Sequence, residues 1–293
     1  MKMYVWLCLI LISGSSLMAA SIYESFDYAA GSLVGQNGGQ GWSGSWNLPY
    51  NQGTQEVVSD SLAFSDYGTS GGALKLVDTG DGFTSVGVRR NLGIDFTVGD
   101  DVWVSFLAKS GDPLTNFTSR TAEIRHGATA GATELRMRPK GSGSQGVMIA
   151  YDGTANNSAA QSTQDGDTYL YVCRYGDIGT DTGKYAVMWV FDEAGYNLSM
   201  ADGQLTEDDL NANYYLMAQD THSNRMLDSN DGVLISVADS SDTNFTYYFD
   251  ELRYGTTLDE VLVPEPATLA LLGFGALYLR RKSSFSIFRE DVV

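Results

Sequence analysis

Cysteine is nearly missing from this chain. There are two, and Cys8 lies in an amino-terminal apolar run, so removal of that run leaves Cys173 alone and no intrachain disulfide can form. Buried apolar surface must then hold the fold, and 293 residues, 43% of them hydrophobic, can supply it. Cys173 stands in the apolar string YLYVCRY, where a free cysteine behaves as a small core hydrophobe. Histidine is as scarce. Neither His126 nor His222 neighbours a serine or cysteine in the manner of a nucleophile elbow, so serine-hydrolase chemistry and a histidine-built metal centre both lack their parts. Positive charge is short as well: 18 Lys and Arg face 36 Asp and Glu. Lys2, Arg280, Arg281, Lys282 and Arg289, with Glu290 and Asp291, lie in the end segments, leaving residues 21–266 with 13 basic and 34 acidic groups, a net charge of −21. Such a body repels phosphate backbones, which argues against nucleic acid as a partner, and it keeps an exported protein soluble.

Between Ile22 and about Glu260 there is no long helical period, no proline-rich linker and no repeat. What fills the space is strand-like. DVWVSFLAK, ATELRMRPKG, GVMIAYDG, DTYLYVCRYG, GKYAVMWVFDE, DGVLISVAD and NFTYYFDELRYG each have strand length, β-branched or aromatic enrichment and turn residues at their ends. Glycine-, asparagine- and aspartate-rich connectors such as SDYGTSGG and GDIGTDTG supply the positive-φ positions that hairpins require. One helix is expected, in LTEDDLNANYY, where Thr206 can cap and Glu207, Asp208 and Asp209 suit the first turn. The pattern predicts an all-β body, two antiparallel sheets packed as a jelly-roll sandwich.

Both ends differ from this body. MKMYVWLCLILISGSSLMAAS has a basic Lys2, an apolar run from Tyr4 to Ile12 and small residues before Ser21, the three parts of a secretory signal, with the cut placed between Ala20 and Ser21. At the other end, VPEPATLALLGFGALYLRRK puts an uncharged run, Ala267 to Leu279, before Arg280, Arg281 and Lys282. As a helix rising ~1.5 Å per residue it covers about two thirds of a ~30 Å hydrocarbon core, a marginal membrane anchor. The basic cluster predicts that this end stays cytoplasmic while the acidic body crosses, in agreement with the signal. Pro264 and Pro266 hold the strip between body and anchor extended. The expected segments are thus 1–20, a signal helix; 21–260, the sandwich; and 261–293, a sorting segment with an anchor helix.

Val263-Pro264-Glu265-Pro266, then a short Leu/Ala/Gly-rich span, then Arg280-Arg281-Lys282 resembles the PEP-CTERM sorting signal of bacteria that make exopolysaccharide. The resemblance implies recognition by an exosortase, a membrane cysteine protease that cuts near Pro-Glu-Pro and passes the body from the inner membrane to the envelope, cell surface or medium. YESFDYAAGSLVGQNGGQGWSGSW near the start and YYFDELRYGTTLDEV near the end resemble the edges of concanavalin A-like, laminin G-like domains. That second resemblance implies that the first and last strands pair and that Phe-Asp-Glu-Leu-Arg lies in the last one.

The same fold carries glycoside hydrolases with acids spaced along one strand as E-x-D-x-x-E or E-x-D-x-E, a spacing that sets nucleophile and general acid on one face. No such run is present around Glu123, Asp192 or Asp250. No catalytic residue is therefore assigned. Calcium is left open by the acidic loops at Asp78–Gly82, Asp165–Asp167, Gly176–Asp181 and Asp228–Gly232, which ordinary Asx turns explain as well; no metal ligand is assigned. Trp42, Trp46, Asn47 and Tyr50 are the residues that could form a glycan-binding platform, or else pin a long loop onto the sandwich. The expected function is that of a non-catalytic exported protein of the cell surface or exopolysaccharide, with extracellular polysaccharide as a partner. Its rivals are a polysaccharide-cleaving enzyme on the same fold and a purely structural matrix component.

Overall fold

The computed structural model describes residues 22–65, 67–79, 84–111, 121–127, 135–140, 147–150, 157–158, 163, 166–180, 185–202, 205–220, 227, 231–239 and 244–262. Fifteen strands among them form two antiparallel sheets. The first has the order β13 (Leu216–Asp220), β12 (Tyr185–Phe191), β11 (Thr168–Gly176), β6 (Val102–Ser110), β15 (Phe245–Gly255), β4 (Ala73–Asp78) and β3 (Gly53–Val58), and β1 (Ile22–Glu24) also pairs with β15. The second has the order β10 (Asn157–Ser158), β9 (Met148–Ala150), β8 (Leu135–Lys140), β7 (Thr121–Gly127), β14 (Gly232–Asp239), β5 (Thr84–Leu92) and β2 (Trp42–Asn51). Each of the seven strand-like stretches read from the sequence contains a strand. The expected signal and anchor helices lie outside the described residues, where Ala20, Ser21 and everything from Val263 onward also fall.

The central strands of the first sheet read as nearly unbroken apolar runs because both of their faces are covered. On β6, Val104, Phe106 and Ala108 point into the space between the sheets, where Phe106 stacks on Tyr171 with ring centroids 4.8 Å apart. Trp103 and Leu107 point the other way, and Trp103 stacks on Trp189 of β12 at 6.0 Å. That outer face is roofed by Leu62, Phe64 and Tyr67 and by three short helices, α1 (Glu193–Ser199), α2 (Glu207–Asn213) and α3 (Leu258–Leu262). Only α2 was expected. Thr206 caps it in a reciprocal box with Asp209, as its sequence foretells.

The pairing of first and last strands implied by the second resemblance is present: Ile22 faces Tyr254 and Glu24 faces Leu252. Along the same edge of β15, β4 occupies Phe245 to Phe249 and β1 takes over from Leu252. A register shift lies between Asp250 and Arg253, with Glu251 in the left-handed region at φ 51°. The extra residue of the bulge separates the two partners of that edge.

Candidate functional site

Trp46 is held by a buried carboxylate, and Trp42 by a backbone carbonyl of the same strand. Glu24 of β1 accepts hydrogen bonds from the Phe26 amide (3.0 Å), the Tyr28 hydroxyl (2.9 Å), Trp46 Nε1 (3.1 Å) and Arg90 Nη1 (3.2 Å). Burial raises its pKa above the ordinary carboxylate value, while those donors act in the opposite direction. Trp42 Nε1 donates to the Tyr23 carbonyl, and the Arg90 guanidinium sits 5.6 Å from the Trp42 ring and 5.9 Å from the Trp46 ring. Gly39, at φ +74°, lets the chain pass: a Cβ there would stand 2.7 Å from the Tyr23 carbonyl oxygen.

Of the four residues expected to form a glycan platform, one, Trp46, is withdrawn into the core. Trp46 is 1% exposed and faces the core, Trp42 is half-buried against Tyr254 and Trp46, and Asn47 and Tyr50 follow on the irregular edge strand β2. The physical reason is that an indole with its N–H satisfied by a buried carboxylate gains more from the core than from water. The loop-pinning alternative describes what Trp46 does.

The acids of the closing strand have structural partners too. Asp250 Oδ2 accepts from the Leu62 amide and Oδ1 from the Glu251 amide, each at 2.8 Å, and burial pushes this carboxyl up to about 8. Glu251 accepts from the Ser70 amide (2.8 Å), the Tyr23 hydroxyl (2.8 Å) and Arg253 (2.7 Å). Together they tie the 61–70 segment and β1 to β15. His126 is fully buried, with Nε2 hydrogen-bonded to the Tyr254 hydroxyl at 2.6 Å, and His222 lies outside the described residues. Cys173 is a core residue, its thiol pushed well above its usual pKa by burial. Among the described residues no three His, Cys, Asp or Glu converge to hold a metal. Of the four loops considered for calcium, parts of each lie outside those residues, and Asp78 is buried at the end of β4.

A cleft of about 740 Å³ opens where the end of the first sheet meets its roof. Lys109 at the end of β6 stands opposite Thr168 at the start of β11. Asp167, Tyr169, Tyr215 and the first residues of α1 complete the wall, with Ser61 and Ala63 across from them. Tyr169 and Tyr215 pack with ring centroids 5.6 Å apart and planes 30° apart. Asp192 caps α1 by accepting from the Gly195 amide, and Glu193 accepts from the Ser65 amide. Sequence reading missed this cleft, because its parts are single polar residues in separate turns.

At the carboxyl end the body runs two residues past the expected boundary of 260. Val261 is 0% and Leu262 7% exposed, both packed in the roof, and the Val261 carbonyl accepts from Ser105 Oγ (2.5 Å) and the Tyr67 hydroxyl (3.3 Å). Residues 262–282 match the PEP-CTERM protein-sorting motif. The match spans the Val263-Pro264-Glu265-Pro266 strip, the uncharged run and Arg280-Arg281-Lys282. The chain thus carries the sorting signal of an exosortase target, and that signal implies export and sorting through the C-terminus.

Among curated proteins none matches the chain in sequence. In structure the body is similar to a cellulose induced protein (14% identity, 72% of this chain and 91% of that one, TM-score 0.46). It is similar also to the carbohydrate recognition domain of Emp47p (10% identity, 84% and 100%, TM-score 0.45). A third likeness is to domain 4 of AbnA, a GH43 extracellular arabinanase from Geobacillus stearothermophilus (15% identity, 83% and 97%, TM-score 0.44). The sandwich described above stands on its own strand order and register.

Proposed function

We propose that this chain is the precursor of a non-catalytic, glycan-associated protein of the cell surface or exopolysaccharide. An amino-terminal signal, cut between Ala20 and Ser21, starts export. The Ala267–Leu279 segment holds the precursor in the inner membrane, and an exosortase cuts at the Pro-Glu-Pro strip to pass the body outward. The observation that carries this reading is the sorting motif over residues 262–282, which begins at Leu262, a buried residue of the roof. Two prolines follow Leu262 closely in the sequence, and their fixed backbone angles suit a strip that a protease can grip. The non-catalytic part is supported by the use of Asp250 and Glu251 as acceptors for backbone amides and Arg253.

The mature protein from native cells decides the matter. Intact mass is expected to show a species that begins at Ser21 and lacks Arg280. Recovery of a product that retains Arg280 outside the cell would overturn the sorting part, and release of reducing ends from β-glucans by the purified protein would overturn the non-catalytic part.

A further inference from the structure

The geometry points to the cleft between Lys109, Asp167, Glu193 and Tyr215 as a binding site for short stretches of uncharged polysaccharide. This rests on the reading of the body as a glycan-associated protein. Its volume, about 740 Å³, lies inside the roughly 300–1,000 Å³ range of small-molecule sites.

The chemistry of the wall matches a pyranose. Sugar rings offer an apolar C–H face and a fringe of hydroxyls that both donate and accept. Tyr215, half-exposed and braced by the buried Tyr169, offers aromatic surface beside polar groups. Asp167 and Glu193 are exposed acceptors for hydroxyl pairs, and Lys109 is a half-exposed donor. Arg90, Arg174 and Arg253 are each paired to a carboxylate, whereas Lys109 enters no ion pair among the described residues. Charge settles which glycans fit. Three acidic residues, Asp167, Asp192 and Glu193, line the cleft with one basic residue, Lys109, and residues 21–266 carry −21, so a uronate chain is repelled and a neutral one is not.

Affinity electrophoresis of the mature exported protein tests this, with a soluble β-1,3-glucan, a galactomannan and polygalacturonate as the probes in separate gels. At least one neutral polymer is expected to retard the protein, and polygalacturonate is not. Tyr215→Ala and Asp167→Asn are each expected to weaken the retardation by about tenfold in Kd, roughly the 1.4 kcal/mol that a lost stacking or hydrogen-bonding group represents. Asp167 is exposed, so its variant keeps the test open should Tyr215→Ala fail to fold; Val98→Ser, at an exposed site outside the cleft, is the control and is expected to leave retardation unchanged. Retardation by polygalacturonate alone, by no probe, or equally for wild type and both folded variants overturns the site. The sorting reading stands or falls separately, on the mass of the mature C-terminus.

Discussion

Glu24 ties β1 to β2 and β5 through Trp46 and Arg90. Its carboxylate is fully buried beside Arg90, which is 3% exposed. Glu24→Ala would leave that buried guanidinium with the Gly38 and Gly44 carbonyls but no counter-charge, and breaking such a pair costs about 3–5 kcal/mol; urea unfolding should show it, with a smaller loss for Glu24→Gln. Trp46→Ala should cost about 3–5 kcal/mol by the same measurement and leave glycan retention intact, which separates plug from platform. Asp250 predicts a pH dependence. Because burial lifts its carboxyl to about 8, the folded state holds this proton more tightly than the unfolded chain does. The stability it contributes is complete below the ordinary carboxylate range and is lost as pH rises through about 8. Thermal unfolding at pH 5 to 9 should therefore show the wild type losing ground to Asp250→Asn as pH rises, and a constant gap would mean that the carboxyl is already ionised in the fold. None of these roles can be read locally. A glycine-rich segment with two tryptophans looks the same whether it meets water or Glu24, which lies 22 residues before Trp46 and 66 before Arg90.

At the level of elements, legibility followed burial. β6, β11 and β12 were plain in the sequence because sheet core on one side and roof on the other make them apolar throughout. β2 was missed because along WSGSWNLPYN only Trp46 is buried, so no alternation is left to detect. α1 and α3 span seven and five residues, too short for a helical period to show, and α2, no longer than α1, was legible only through its Thr206 cap and its three acids in the first turn. Thr206→Ala should cost about 1 kcal/mol as a lost cap, read by thermal unfolding. α3 makes a stronger prediction. Ending the chain after Leu262 should leave the body's unfolding midpoint unchanged, while ending it after Thr257 removes Val261 and Leu262 from the roof. Each is worth about 1.5–3 kcal/mol of burial, and the second truncation also strips Ser105 and Tyr67 of their shared carbonyl acceptor.

For the whole molecule, the placement of the first and last strands matters most. β1 and β15 are neighbours, so Ile22, next to the expected signal cut, lies opposite Tyr254, eight residues before Leu262 in the chain. The first and last strands of the sandwich are thus adjacent in one sheet. With β1 in place the edge of β15 beyond the bulge is paired; without it, backbone amides and carbonyls there are exposed to other chains. Deleting residues 22–24 should therefore give a protein that unfolds earlier and sediments as aggregates, a result that sedimentation velocity would register.

Sequence alone determined the mostly-β character of the body, the disulfide-free core around Cys173, the acidic composition and the sorting segment, since each depends on composition or on residues within a few positions of one another. Tertiary structure decided the rest. Whether Trp46 faces solvent, where α3 joins the roof, and how Ser61, Lys109, Asp167, Glu193 and Tyr215 come to share one cleft all depend on strand order. Groups up to 154 positions apart in the chain meet there only because β6, β11 and the turns before β13 are brought to the same end of one sheet.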